Sequence, residues 1–186
     1  KDIGFRRNAE GGYTIAPRSD HVFYIGPDAF ASFSTFLPTL IGNLKSVHLR
    51  PAAPAGFPDA WGTKRRWAAD EVSPFEVTRV LDPAPNMKMI GRAQASFARA
   101  FPTLGRPKLR SVWGGMIDTM PDVVPVIDHA AAIPGLIIAT GMSGHGFGIG
   151  PGIGRVVADL VVGNDPGHDL SRFRLSRFGD GTKIAP

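Results

Sequence analysis

Short apolar segments separated by turn residues open the chain and predict antiparallel strands over residues 1–26. Phe5-Arg6-Arg7-Asn8 runs into Glu10-Gly11-Gly12, a turn signal, and Tyr13-Thr14-Ile15-Ala16 follows as a strand. His21-Val22-Phe23-Tyr24-Ile25-Gly26 reads as the next strand. The spacing then lengthens. Phe30, Phe33, Phe36, Leu37, Leu40 and Ile41 recur at intervals of three and four, the stripe of a helix over 27–45 that Pro38 should interrupt. The stripe is expected to be ordinary core.

Residues 51–75, rich in Pro and Ala and carrying Trp61 and Trp67, read as irregular. A helix is predicted from Asn86 to Ala100, with Met89, Ile90, Ala93, Phe97 and Phe101 on one side and Pro102 as its stop. Residues 107–128 return to strand character, broken by Gly114-Gly115 and by Pro121. Gly135-Leu136-Ile137-Ile138-Ala139-Thr140 is a continuous apolar run, which fits a strand buried on both faces in an α/β layer. A glycine-rich loop follows, then a helix from Ile153 to Val162. No internal repeat is visible. The expected class is α+β: a mainly antiparallel part with helices over 1–105, then a strand–Gly loop–helix unit within 106–186.

Composition narrows the partners. The chain has 186 residues, 20% of them charged and 43% hydrophobic, the balance of a globular protein. It holds 23 glycines and 17 prolines, well above their usual combined share of about 12%, so turns and close backbone approaches are frequent. No apolar run approaches the ~18 residues of a membrane helix. Cysteine is absent, which excludes disulfides, cysteine zinc sites, thiol nucleophiles and thioether-linked cofactors. The net charge of +5 is scattered over Arg6-Arg7, Lys64-Arg65-Arg66 and Arg172 to Arg177. It reads as solvated surface rather than a nucleic-acid footprint. The chain starts at Lys1 without a signal-like segment, and it is expected to be a piece of a longer cytoplasmic protein.

The chemistry lies between Leu136 and Leu160. After the apolar run comes Gly141-Met142-Ser143-Gly144-His145-Gly146-Phe147-Gly148-Ile149-Gly150-Pro151-Gly152-Ile153-Gly154. Glycines let the backbone approach another group closely, and a helix N-terminus behind them offers free N–H groups and about half a positive charge. Such a loop suits a phosphate, a carboxylate or the electron-rich edge of a ring. It also suits plain helix–strand packing. No G-x-G-x-x-G and no Walker motif occurs. Gly141-x-Ser143-x-His145 is not a nucleophile elbow, because position 145 is His. The other histidines, 21, 48, 129 and 168, have no metal-ligand spacing. His145 either borders a ligand or structures the loop.

Trp113-x-Gly115, Pro121-Asp122, Pro125-Val126-Ile127, Pro134-Gly135-Leu136 and Gly141-Met142-Ser143-Gly144-His145-Gly146-Phe147 occur in that order. The series resembles the C-terminal portion of the FAD-dependent amine and amino-acid oxidoreductases of the D-amino acid oxidase, glycine oxidase and sarcosine oxidase type. Phe173-Arg174-Leu175-Ser176-Arg177-Phe178 is similar to how many members end. The match is dense over 107–178 and diffuse over 1–106.

The resemblance implies FAD as cofactor, a small-molecule amine or amino acid as substrate, and an enzyme that oxidises the C–N bond by hydride transfer. It implies that 1–105 is the substrate-binding portion and 106–186 the C-terminal part of the FAD-binding domain. The N-terminal Rossmann-type half is not in this sequence; it would be the chain's partner, and the fragment would be inactive without it. An alternative is a non-catalytic subunit that keeps the family fold. By resemblance the cofactor-binding residues are Gly115, Met116, Gly141, Met142, Ser143, Gly144, His145, Gly146, Phe147, Gly148 and Ile149, with His145 also the catalytic candidate. Their N–H groups would face the N1/C2 carbonyl edge of the flavin.

Two positions depart from the family pattern. Glycine oxidases often carry, four residues after the Trp, an Arg that grips the substrate carboxylate; here that position is Ile117. Sarcosine oxidases tend to carry a Lys after His-Gly-Phe; here that position is Gly148. The substrate side then rests on Ile117 itself and on a clamp built elsewhere, for which Arg50 and Arg18 are candidates.

Overall fold

A computed structural model describes residues 3–17 and 20–184, so Arg18 lies outside the described residues. The chain divides into two compact units, Lys1–Ala31 with Asn43–Met116, and Ser32–Gly42 with Ile117–Pro186. Each unit mixes helices with two-stranded sheets, an α+β arrangement.

In the first unit, β1 (Ile3–Arg7) and β2 (Tyr13–Pro17) form the expected antiparallel hairpin, with Phe5 opposite Ile15. Gly11 and Gly12 turn it at φ +83° and +79°, a region that favours glycine. The helix predicted from Asn86 is present as Met87–Ala100. The Asn86 side-chain oxygen accepts from the Lys88 and Met89 N–H groups at 3.2 and 3.3 Å, which caps it. Met89, Ala93 and Phe97, each four residues on, form its buried stripe. Phe5, Tyr13, Phe97 and Phe101 join hairpin and helix in one aromatic cluster, with the Phe5 and Phe101 centroids 4.9 Å apart. Residues 51–73 are irregular, as expected, and lead into the short helix Pro74–Val77.

β3 (His21–Tyr24) departs from the reading of 1–26 as antiparallel strands. It pairs in parallel with β4 (Val47–Arg50), His21 opposite Val47. A parallel pair needs a long connection, and residues 25–46 supply one containing α1 (Pro27–Ala31) and α2 (Phe33–Gly42). The helical stripe breaks at Ser32, not at Pro38, which lies inside α2. The stripe is not core either. Neither helix buries a residue, and Phe30, Phe33 and Ile41 are 67%, 54% and 60% exposed. Helical spacing shows which face is apolar; it does not show what covers that face. Taking the helices in chain order, Pro74–Val77 is α3 and Met87–Ala100 is α4.

In the second unit, β5 (Val126–His129) pairs antiparallel with β6 (Ile137–Thr140). The strand character expected over 107–128 is confined to β5, because prolines at 107, 121 and 125 and the paired glycines remove ladder donors or backbone order. The apolar run around β6 is not buried on both faces: Ile137 and Ile138 are half-buried, Ala139 and Thr140 exposed. The last helix, α5, spans Gly146–Val162 and starts seven residues before the expected Ile153. The core of this unit includes Val126, Ile127 and Val156, and a buried Asp122–Arg177 ion pair lies in the same unit.

Candidate functional site

The glycine-rich segment resolves into two parts. Residues 141–145 are a turn, and 146–149 are the first turn of α5. Three positions in the turn have positive φ: Gly141 at +73°, Ser143 at +49° and Gly144 at +83°. Glycine visits this region freely and serine does so rarely. At Gly141 there is also no space, since a Cβ would lie 2.2 Å from the Met120 side chain.

Hydrogen bonds explain how Ser143 is held there. Its N–H donates to the Asp118 carbonyl at 2.9 Å. Its hydroxyl donates to the Gly141 carbonyl at 3.0 Å and accepts from the Met120 N–H at 3.1 Å. The Asp118 carboxylate accepts from the Gly141 N–H at 2.7 Å and from the Thr140 hydroxyl at 2.5 Å. The His145 N–H closes the turn on the Met142 carbonyl at 2.8 Å.

His145 is the N-cap residue of α5, with no side-chain capping bond, and its carbonyl accepts from the Gly148 and Ile149 N–H groups. Its ring is therefore not what caps the helix. The remaining N–H groups of the first turn carry the helix's positive end. Gly144, His145, Gly148 and Ile149 are exposed, Met142, Ser143 and Gly146 are half-buried, and Phe147 is 96% exposed. A Cβ added at Gly148 would meet nothing within 4 Å. The half-exposed Ile117 reaches the loop, its Cγ2 lying 3.9 Å from where a Gly144 Cβ would be. Ile117 and residues 141–149 thus share the second unit. Gly115, Met116 and Arg50 belong to the first. Gly115 and Met116 are exposed, and Arg50 ends β4 as an exposed residue whose carbonyl accepts from the Ile25 N–H at 2.8 Å.

Sequence reasoning missed Asp118. It lies 22 and 23 residues before the groups its carboxylate binds, and no spacing rule links an isolated Asp to a glycine turn. It also missed that Met120 fills the space a Gly141 side chain would need.

A family model described as FAD dependent oxidoreductase matches residues 2–160. The chain belongs to this FAD-dependent oxidoreductase family. The resemblance carried by Trp113 to Phe147 is thereby shown, and with it FAD as the family's cofactor. Among curated relatives, the N-methyl-L-tryptophan oxidase of Salmonella newport is 39% identical over 87 residues, which is 44% of this chain and 23% of that protein. Among solved structures, the L-amino acid deaminase from Proteus vulgaris superposes with a TM-score of 0.83 at 29% identity, covering 95% of this chain and 40% of that one. The L-amino acid deaminase from Proteus myxofaciens gives 0.85 at 26%, covering 96% and 39%. The chain thus spans about two fifths of these solved structures. Among its described residues no helix is long and apolar enough to cross a membrane.

The loop's own geometry suits a flat ligand. Bare backbone at Gly148, N–H groups at a helix start, and exposed apolar Phe147 and Ile117 suit a planar group with an apolar face and a polar edge.

Proposed function

We propose that this chain is the C-terminal portion of a flavin-dependent enzyme that oxidises the C–N bond of an amine or amino acid by hydride transfer to FAD. Residues 1–105 serve the substrate side, and 106–186 complete the FAD-binding domain. The observation that carries the reading is the turn at 141–145. Its left-handed backbone brings the N-terminus of α5 to the surface, with nothing within 4 Å of where a Gly148 Cβ would lie and an Ile117 methyl 3.9 Å from that of Gly144. The names of the relatives, an oxidase of an N-methyl amino acid and L-amino acid deaminases, support the substrate class.

Bound FAD supplies a two-electron acceptor for the hydride leaving the carbon that bears the nitrogen. The chain supplies the rest. N–H groups at the start of α5 favour negative charge on a neighbouring group, and one such donor is worth roughly 3 kcal/mol when well placed. Because they are part of the backbone, they need no reorganisation during turnover. Phe147 and Ile117 exclude water from the surface they cover. Ile117 offers no charge for a substrate carboxylate, so it contacts an apolar part of the substrate, and the carboxylate is held elsewhere, with Arg50 the candidate among described residues. His145, exposed at the turn, is the candidate to tune charge beside the substrate.

Ile117 and Gly148, in place of the Arg and Lys that some members carry, favour a second reading, a non-catalytic subunit. Adding FAD to the full-length protein separates the two. The enzyme reading expects stoichiometric flavin binding and bleaching by an amino acid without oxygen. A full-length protein that binds no FAD removes it.

A further inference from the structure

One residue makes three of the hydrogen bonds that define the turn. Asp118 accepts from the Gly141 N–H and the Thr140 hydroxyl through Oδ2, and from the Ser143 N–H through its carbonyl. Two of the three donors are Gly141 and Ser143 themselves, whose φ of +73° and +49°, with Gly144 at +83°, bend the chain from β6 into α5.

We propose that Asp118 is a positioning residue, which sets the 141–145 turn and so the direction in which the first N–H groups of α5 are presented. The proposal rests on the reading that this turn faces the flavin. Ser143 is the critical link. An L residue rarely adopts its conformation, and it is held by bonds to Asp118, Met120 and Gly141 together. Met120 packs its side chain where a Gly141 Cβ would sit, so the 118–120 segment restrains the turn by hydrogen bonds at one end and by contact at the other. The carboxylate is exposed, so replacing it leaves no buried charge unpaired. An ionised acceptor makes stronger hydrogen bonds than a neutral one, yet an amide oxygen has two lone pairs and can accept from both donors. Geometry and charge can therefore be separated with two variants.

The test compares Asp118→Ala and Asp118→Asn in the full-length protein with two readouts. One is amide hydrogen exchange at Gly141 in the flavin-free protein; the other is the FAD dissociation constant. Asp118→Ala is expected to speed exchange and to weaken FAD, each by about tenfold, the size of a lost hydrogen bond to a charged group. Asp118→Asn is expected to stay within about threefold of wild type in both. If Asp118→Ala does not fold, Thr140→Val, which removes one of the two carboxylate bonds, takes its place with a smaller change of the same sign. Unchanged exchange in Asp118→Ala overturns the proposal and leaves the flavin reading standing. Equal defects in the Asn and Ala variants overturn it in favour of charge alone. Faster exchange with unchanged FAD affinity overturns the flavin reading of the loop, and the proposal with it.

Discussion

The Asp122 carboxylate and the Arg177 guanidinium, 55 residues apart in sequence, meet inside the second unit with Nε 2.8 Å from Oδ2 and a second bond of 3.2 Å to Oδ1. Their side chains are 9% and 3% exposed. Arg177 also donates to the Val124 carbonyl at 2.6 Å and the Arg174 carbonyl at 2.8 Å, and its guanidinium lies 4.2 Å above the Phe178 ring centroid. The Val124 N–H donates to Asp122 Oδ1. One bidentate pair thus fastens the C-terminal turn Leu175–Phe178 to the turn that leads into β5.

Removing one partner leaves the other charged and dry. Arg177→Met is expected to destabilise the protein by about 3–5 kcal/mol. Arg177→Lys also loses stability, since an ammonium cannot reproduce the fork. Denaturant unfolding followed by circular dichroism measures both. A loss under about 1 kcal/mol for Arg177→Met contradicts a structural role for the pair.

The pair also sets an acid dependence. Burial pushes the Asp122 carboxyl up, but the Arg177 hydrogen bonds, the Val124 N–H and the Arg177 charge together hold it below its ordinary value. A lowered folded-state pKa means stability that is fully present above the ordinary carboxylate range. That stability is lost as pH falls through the depressed value. Asp122→Asn is expected to flatten the acid limb of a stability–pH profile while lowering its plateau. An unchanged acid limb contradicts the assignment.

Gly141→Ala should be poorly tolerated for two independent reasons. The residue needs φ +73°, and its Cβ would meet Met120 at 2.2 Å. A loss of about 2 kcal/mol or more is expected, of which Met120→Ala in the same chain recovers the contact part but not the backbone part. Wild-type stability in Gly141→Ala contradicts the turn geometry.

Gly148 separates folding from binding. It is helical and a Cβ there meets nothing within 4 Å, so Gly148→Ala is expected to stabilise the flavin-free protein by about 0.5–1 kcal/mol. If the bare backbone is where the flavin approaches, the same change weakens FAD binding. Opposite signs from thermal melting and flavin titration support the site. Equal FAD affinity removes Gly148 from it.

The resemblance sets Ile117 at the position where glycine oxidases often carry a carboxylate-gripping Arg. Ile117→Arg is expected to shift the kcat/KM ratio towards small amino acids and away from bulky apolar ones by about tenfold, the scale of a charged hydrogen bond. No shift in that ratio places Ile117 away from the substrate.

Local signals were legible where local physics decides the structure. The Glu10-Gly11-Gly12 turn, the start of α4 near Asn86 and the Met89–Ala93–Phe97 stripe all appear where the sequence placed them. The early start of α5 was hidden because Gly146, Gly148, Gly150 and Gly152 are poor helix formers, so propensity argues against a helix that is nonetheless there. Pro38 within α2 misled in the same way. The parallel partner of β3, Asp118 beneath the turn and the Asp122–Arg177 pair depend on residues 22 to 55 positions apart or on strand pairing. No local period records such contacts. The glycine-rich stretch was legible as a loop leading into a helix, but not as a turn of only five residues.

The most direct measurement is anaerobic titration of the full-length, FAD-loaded protein with L-amino acids and their N-methyl derivatives, following the visible flavin band. Stoichiometric bleaching by at least one of them is expected, with return of the band on admitting an electron acceptor. A bound flavin that none of these substrates bleaches, while dithionite does, contradicts C–N oxidation by this protein.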